Sequence, residues 1–293
     1  METVFRDLAS LSFEGAQGVK LFDSGVAGPS VAITIMTHGN EPCGLDAYNY
    51  FSQHSDILKK GKVFFCLNNI KAGEQYFQAT SAKEKRRCRF IDENMNRITS
   101  ENKDSYEFKR VQELKPIYQQ FDYALDIHST ALPSDTMLIL PEGTPKALYQ
   151  GIPAKLAIEG IVEKQIGTPA IGFYAGECIG YEAGSHEDEQ AGYNATQAML
   201  AFLRNTGVVD HSEEALEMPA HYTVFDSIVF RDSSDSLAKE FKHFSKVTQG
   251  DVIASGDQGD IKASEDGFAL FPPPSLKPNS IHEEVMFLAK LTV

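Results

Sequence analysis

The sequence predicts an α/β fold in which the strands of one sheet are linked by helices. Between about residue 30 and residue 205, short runs of β-branched and aromatic residues alternate with longer stretches of helical period. This alternation is typical of parallel strands joined by helices. The 293 residues are 42% hydrophobic, which is ample for a packed core. After about residue 210 the pattern changes, which indicates a second region.

Four strands and three helices account for the first region. We predict strands at 31–37, 62–68, 123–127 and 136–140, and helices at 45–58, 104–120 and 187–203. Ser185, with Asp188 three positions later, matches a capping box for the last of these helices. We expect this helix to close the first domain.

Short strand-like pieces dominate the chain from about Glu217 onward. They are separated by turn-forming pairs such as Gln249-Gly250 and Ser255-Gly256, and the rigid run Pro272-Pro273-Pro274 follows them. The sequence therefore predicts two domains, with residues 1–210 as the larger one and residues 211–293 as a small β-rich one.

Charge and composition exclude several classes of function. The net charge of −14 disfavours nucleic acid as a partner, because a polyanion would be repelled. No apolar stretch approaches the roughly 20 residues that span a bilayer. The four cysteines show no paired CxxC spacing, and the chain does not open on a signal-like segment. We therefore expect a soluble cytoplasmic protein with no membrane partner, and homo-oligomer formation is left open.

Two histidines and one glutamate follow predicted strands. His38-Gly39-Asn40-Glu41 comes after the apolar run 31–36, and the run 123–127 ends on His128. We expect Gly39 to let the chain turn sharply. Ligands bind beyond the carboxyl ends of strands in such sheets, and a His-Glu-His set suits a catalytic zinc with an open fourth position. The sequence predicts a metal-activated hydrolase with one Zn²⁺ per chain.

A bare His-x-x-Glu spacing also has a structural explanation, since an acid such as Glu41 is favoured in the first turn of a helix. His186 and Glu189 repeat the spacing within this chain. Glu189 falls in the first turn of a predicted helix and His186 has no strand before it. We therefore interpret the second pair as structural, with the alternative that His186 lines the pocket.

Further polar residues indicate the substrate and a proton carrier. Arg89 and Arg97 flank Asn96 in an otherwise acidic chain, and because guanidinium groups match carboxylates in geometry, the segment indicates an anionic substrate. Hydrolysis also needs a carboxylate that moves a proton. Among the acids of residues 177–189 we favour Glu182, which precedes Ala183-Gly184 in a predicted tight loop.

The order of these motifs closely resembles the aspartoacylase and succinylglutamate desuccinylase family, which is related to the zinc carboxypeptidases. The resemblance rests on the His-Gly-Asn-Glu element at 38–41, on Asn96-Arg97 and on Asp126-Ile127-His128. It implies a zinc-carboxypeptidase-like, or phosphorylase/hydrolase-like, mixed sheet with flanking helices. A β-rich C-terminal domain that narrows the entrance to the active site would follow.

The resemblance also implies a catalytic centre. His38, Glu41 and His128 resemble the zinc ligands of the family. Glu182 resembles its general base and acid, and Arg89 the residue that polarises the scissile carbonyl and stabilises the oxyanion.

For the substrate, the resemblance implies that Asn96 and Arg97 hold a carboxylate. Two departures put N-acetylaspartate in doubt as the substrate. The stretch 170–174 lacks the arginine that aspartoacylases carry before the catalytic glutamate, and the C-terminal tyrosine of the family is not obvious near Gly267-Phe268.

The predicted function is that of a zinc-dependent amidohydrolase, or deacylase, that cleaves N-acyl amino acids or similar small anionic amides. One alternative is a zinc carboxypeptidase acting on short peptides. Another is a binding protein that keeps the zinc cleft without catalysis. A cysteine hydrolase built on Cys88 is disfavoured, because no histidine or acid forms a recognisable set with it.

Overall fold

The computed structural model describes residues 1–98, 102–165, 174–210, 218–273, 275–276 and 284–292. No helix within these ranges is long and apolar enough to cross a membrane. Single 3-10 turns occur at Ser55–Ile57 and Met95–Arg97. The α-helices are α1 (Glu2–Ser10), α2 (Gly44–Gln53), α3 (Ile70–Gln78), α4 (Ala82–Arg87), α5 (Tyr106–Tyr118), α6 (Lys146–Tyr149), α7 (Ile161–Lys164) and α8 (Ala191–Asn205).

The strands lie in both parts of the chain. They are β1 (Ser12–Phe13), β2 (Ala16–Gln17), β3 (Val19–Asp23), β4 (Ser30–Ile35), β5 (Lys62–Leu67), β6 (Tyr123–Thr130), β7 (Met137–Leu140), β8 (Leu156–Glu159), β9 (Glu177–Ser185), β10 (Ala220–Val229), β11 (Ser236–Leu237), β12 (Lys246–Val247), β13 (Val252–Gly256), β14 (Gly259–Lys262), β15 (Gly267–Leu270) and β16 (Glu284–Leu291).

A mixed sheet of eleven strands organises the fold, in the order β12-β15-β16-β10-β8-β7-β9-β6-β4-β5-β3. Strands β5, β4, β6 and β9 are mutually parallel, whereas β3 and β7 run antiparallel to β5 and β9. Helices cover both faces: Ile33 of β4 packs into a core with α2 and α8, and Ala32 packs on the opposite side with α5. The predicted mixed α/β sheet with flanking helices is confirmed.

The C-terminal strands extend this same sheet. Strand β10 pairs in parallel with β8 and antiparallel with β16. Strands β11, β13 and β14 form a separate small sheet, and a core that includes Ile228, Ile253 and Leu288 lies in this part of the chain. The predicted boundary at residue 210 adjoins residues 211–217, which lie outside the described ranges, so the division into two domains stays a prediction.

The seven predicted elements of the first region are all present, but the start of α8 differs. Strand β9 continues to Ser185, which pairs with Thr130 of β6. Gly184, which lies within this strand, has a φ of +108°. Asp188 accepts a hydrogen bond from the backbone N–H of Gln190, and α8 begins only at Ala191. The predicted capping box is therefore wrong, because sheet pairing takes Ser185 into a strand.

Glu107 of α5 fixes the segment that precedes the Asn96-Arg97 element. Its buried carboxylate accepts hydrogen bonds from three consecutive backbone N–H groups, those of Ile91 at 2.7 Å, Asp92 at 3.0 Å and Glu93 at 3.3 Å. It also accepts a bond of 2.9 Å from the side chain of Asn69. Buried polar groups without partners are costly, so this carboxylate determines where the segment lies.

We predict that Glu107→Ala lowers the free energy of unfolding by about 3 kcal/mol, because several buried N–H groups lose their acceptor. Urea denaturation measures the change. Gln112→Ala, an exposed position on the same helix, is the control and should leave the midpoint almost unchanged. A Glu107→Ala midpoint equal to that of the control would show that the segment is held by other contacts.

Candidate active site

The loop after β4 is held by close contacts with its neighbours. Met36 has a φ of +52°, and its carbonyl accepts a bond of 2.9 Å from the N–H of Asn69. A Cβ on Gly39 would lie 2.3 Å from the carbonyl carbon of Ala72, so only glycine fits. The N–H of Gly39 donates to the carbonyl of Arg89 at 2.9 Å. Close packing against α3, rather than a left-handed turn, explains this glycine.

His38 and Glu41 lie on this loop, and His128 of β6 lies close to them. Nδ1 of His38 lies 2.8 Å from one oxygen of Glu41, and Nδ1 of His128 lies 2.7 Å from the other. All three side chains are buried, and their candidate ligand atoms lie within 4.8 Å of one another. The sequence predicted that His128 would follow a strand. Strand β6 continues to Thr130, so His128 lies within the strand.

Two further side chains orient the imidazole rings. Nε2 of His128 lies 2.9 Å from a carboxylate oxygen of Asp126, and Nε2 of His38 lies 2.9 Å from the side-chain oxygen of Asn94. Because these oxygens can accept a hydrogen bond from Nε2–H, they favour the tautomer in which Nδ1, which faces Glu41 in both rings, is the atom available to a metal. The other oxygen of Asp126 accepts bonds from the hydroxyls of Thr34 and Thr37.

The charges at this cluster suit a cation. Burial and the nearby Arg89 lower the pKa of His38 to about 4, which favours the neutral imidazole that binds metals. Burial opposes a charge on His128, but Asp126 and Glu41 prevail and raise its pKa well above the usual value. Burial also opposes a charge on Glu41, but the two histidines hold its pKa well below the usual value. A divalent cation would replace the positive charge carried by His128, so the donor set fits zinc.

Glu182 lies beside His128 on the neighbouring strand. The two residues are register partners in the parallel pair β6–β9, so Glu182 lies in a strand and not in the predicted loop. Its Oε2 atom is buried and has no hydrogen-bond partner among the described residues. Burial above all, together with the negative charge of Glu41, raises the pKa of Glu182 to about 7. Its role as the proton carrier stays a prediction.

One cavity of about 760 Å³ is lined by all seven residues predicted for the site, namely His38, Glu41, Arg89, Asn96, Arg97, His128 and Glu182. Four of its lining residues carry a buried polar atom without a partner within the described chain: Asn40 Oδ1, Asn96 Oδ1, Glu182 Oε2 and His186 Nε2. Buried polar atoms are nearly always satisfied. Their concentration in this cavity indicates a site that binds a polar ligand.

Each arginine that lines the cavity contacts a glutamate. Arg89 lies 3.1 Å from an oxygen of Glu41. Arg97 forms an ion pair through Nε with the carboxylate of Glu284 from β16. At the rim, Arg86 pairs with Glu187.

A second nitrogen of Arg97 also has acceptors within the protein. NH1 of Arg97 donates to the carbonyl of Asn96 at 2.7 Å and to the side-chain oxygen of Gln165 at 3.2 Å. The predicted carboxylate-binding arginine is therefore at the cavity wall, but with protein partners.

His186 also lines the cavity, as the alternative interpretation proposed. Its Nδ1 lies 2.8 Å from the hydroxyl of Ser129, next to His128 in the chain. Glu189 is exposed and is not among the residues that line the cavity. Cys88 also lies away from it: its thiol donates to the carbonyl of Glu84, and burial raises its pKa, which argues against a nucleophile.

Sequence reasoning missed Asp126, Asn94 and Glu284. Asp126 had a local signal, because residues two apart on a strand face the same side and an acid there can orient His128. Asn94 and Glu284 had none, since each meets its partner only through long-range folding. The stretch 170–174, which lacks the arginine of aspartoacylases, lies outside the described residues except for Tyr174.

Much of the cavity lining from the C-terminal part of the chain is apolar, and we call it the apolar wall. Strand β16 contributes Val285, Met286 and Phe287 next to Glu284. Further apolar side chains in the lining are those of Ile161, Val162, Phe271, Pro272 and Pro273. A ligand that reaches from the histidines to this wall would combine a polar group with an apolar one.

Two known enzymes are similar in sequence to part of this chain. The chain is 32% identical over 123 residues to an N-acyl-aromatic-L-amino acid amidohydrolase (carboxylate-forming) of Mus musculus, and the match covers 37% of this chain and 36% of the relative. The enzyme of the same name from Rattus norvegicus is 34% identical over 124 residues, with the same coverage. These alignments therefore span about a third of the curated relatives.

Solved structures show the same fold over most of the chain. Succinylglutamate desuccinylase from Vibrio cholerae superimposes with a TM-score of 0.71 at 16% identity, covering 93% of this chain and 85% of that one. The Vibrio parahaemolyticus protein gives 0.72 at 15% identity, covering 94% and 86%. Residues 27–206 match the model of the succinylglutamate desuccinylase/aspartoacylase catalytic domain. The chain therefore belongs to the succinylglutamate desuccinylase/aspartoacylase family.

Proposed function

We propose that this protein is a zinc-dependent amidohydrolase that releases a carboxylic acid and an amino acid from N-acyl amino acids. The observation that carries the proposal is the convergence of the His38–Glu41–His128 cluster with the unpartnered carboxylate oxygen of Glu182 in one cavity. A buried carboxylate whose pKa is raised toward neutrality suits proton transfer. The curated relatives, which are named as amidohydrolases, support the same reaction class.

In this proposal His38 and His128 hold the zinc through Nδ1, and Glu41 holds it through its carboxylate. When bound, the ion supplies a Lewis acid and lowers the pKa of water to near neutrality. Asp126 and Asn94 keep the two rings oriented by accepting from Nε2. The same side chains therefore prepare the site before the substrate arrives.

Glu182 and Arg89 carry the remaining steps. Oε2 of Glu182 takes a proton from the attacking water and later delivers it to the nitrogen of the leaving amine, which a pKa near 7 allows in both directions. Arg89 lies beside Glu41 and remains charged at any working pH. Its guanidinium stabilises the negative charge that develops on the carbonyl oxygen.

We further propose that the amino acid half of the substrate is apolar or aromatic. The wall formed by Phe287, Phe271 and their neighbours faces the same cavity as Asn96 and Arg97, which would meet the α-carboxylate. The names of the two rodent relatives point to the same substrate class. Since all four cysteines are free, a reducing, cytoplasmic location is part of the proposal.

The test of the proposed function is a substrate panel on the zinc-loaded protein. N-acetyl derivatives of phenylalanine, tyrosine, leucine and aspartate are compared with short unblocked peptides. Release of acetate and the free amino acid supports the proposal. Cleavage of the peptides alone would favour a zinc carboxypeptidase, and zinc binding without turnover of any amide would favour a non-catalytic binding protein.

We predict that Glu182→Gln lowers kcat by at least about a hundredfold while zinc stays bound, because the amide cannot accept the proton. Turnover of an active substrate and elemental analysis of the same preparation measure the two effects. Glu177→Gln, an exposed position on the same strand, is the matched control. Activity close to wild type in Glu182→Gln would remove this residue from the mechanism.

We predict that Asp126→Asn weakens zinc binding by about 10- to 100-fold, because the charged acceptor that fixes the ring of His128 is replaced by a neutral amide. Competition with a fluorescent chelator measures the affinity. Asp122→Asn, at the other end of β6 where the carboxylate accepts from the N–H of Ser30, is the control. Equal zinc affinity in the two variants would show that Asp126 does not orient the ligand.

A further inference from the structure

The charge balance of the cavity is the starting point. Its three lining arginines, Arg86, Arg89 and Arg97, are each in contact with a glutamate. The segment 166–173, which follows Gln165 in the chain, contains no lysine or arginine. Arg97 adjoins the apolar residues of β16, since its partner Glu284 begins that strand.

Glu284 is placed to act on charged ligands. Its side chain is fully buried, and that of Arg97 is only 17% exposed. Little water screens the two charges there, and they largely cancel when seen from the cavity. A ligand carboxylate that approaches Arg97 also approaches Glu284. Its attraction to Arg97 is therefore offset by its repulsion from Glu284. Hydrogen bonds to Asn96 and Arg97 can still hold one carboxylate, but a second one would find no uncompensated cation among the described lining residues.

We propose that Glu284 is a specificity-determining residue that selects against a second negative charge in the amino acid half of the substrate. It neutralises Arg97, and with the adjoining apolar wall it restricts the site to N-acyl amino acids that carry a single carboxylate. The assignment rests on the proposed deacylase function. The proposal also gives strand β16 a role. Its first residue, Glu284, sets the net charge of a subsite whose other polar residues, Asn96 and Arg97, lie in the family domain.

The test is Glu284→Gln in the full-length, zinc-loaded protein, which removes the charge and keeps the shape. The ratio of kcat/KM for N-acetyl-L-aspartate to that for N-acetyl-L-phenylalanine should rise by about tenfold or more, as expected for one partly buried unit charge. Calorimetry provides a second readout without turnover: the affinity for L-aspartate should rise by a similar factor relative to that for L-phenylalanine.

The matched control is Glu265→Gln. Glu265 forms an exposed ion pair with Lys290, which lies on the same strand as Glu284, and the substitution removes one negative charge from that pair. It should leave both ratios within twofold of wild type. Should Glu284→Gln not fold, Gln165→Lys adds a positive charge beside Arg97 and should shift both ratios in the same direction.

Each outcome decides the proposal. The proposal is overturned if both ratios stay within twofold of wild type in Glu284→Gln, or in Gln165→Lys where Glu284→Gln does not fold. The proposal is also overturned if neither L-aspartate nor L-phenylalanine binds to the wild type or to the variant, because no carboxylate subsite would then exist. If no amide is hydrolysed but the binding ratio shifts as stated, the deacylase function fails while the role of Glu284 stands.

Discussion

The carboxylate of Glu41 is the contact on which the site depends. One of its oxygens meets His38 from the loop after β4, and the other meets His128 within β6. Two neighbouring parallel strands are thereby joined through a single buried acid, which Arg89 also contacts from a third segment. A carboxylate buried this deeply is tolerated only when it is paired, and here the two rings and the guanidinium supply the pairing. The same arrangement presents two nitrogen atoms and one acid at a point where a cation is favoured.

The segment from Arg89 to Arg97 is held to this centre at several points. The carbonyl of Arg89 accepts from Gly39, and the side chain of Asn94 accepts from His38. The carboxylate of Glu107 accepts hydrogen bonds from the backbone N–H groups that lie between Arg89 and Asn94 in the chain. Because the residues expected to bind substrate lie on this segment, their position is coupled to the metal ligands. A change in the segment would therefore alter substrate contacts and ligand orientation together.

The sequence was sufficient to predict four strands of the sheet, β4 to β7, and the residues that gather near the carboxyl ends of β4 and β6. Buried parallel strands give continuous apolar runs, and such runs place His38 and His128 at neighbouring positions. It failed where long-range pairing overrides a local pattern. Ser185 and Asp188 have the spacing of a helix cap, but β9 gains more by pairing with β6 up to Ser185. The contact of Arg97 with Glu284 joins the Met95–Arg97 turn to the last strand, and no local pattern could reveal it.

The residues proposed for catalysis and those proposed for selectivity lie in different parts of this chain. The match to the family domain, residues 27–206, contains the zinc-ligand candidates, Glu182, Arg89 and the Asn96-Arg97 element. Glu284, Phe287 and Phe271 lie beyond it, yet they line the same cavity. Four strands, β10, β8, β7 and β9, separate β16 from β6 in the sheet, so substitutions in β16 other than at Glu284 act far from the strands that carry the histidines. Under the proposed function, substitutions in β16 can thus alter which amide is accepted while the residues proposed to cleave it keep their geometry.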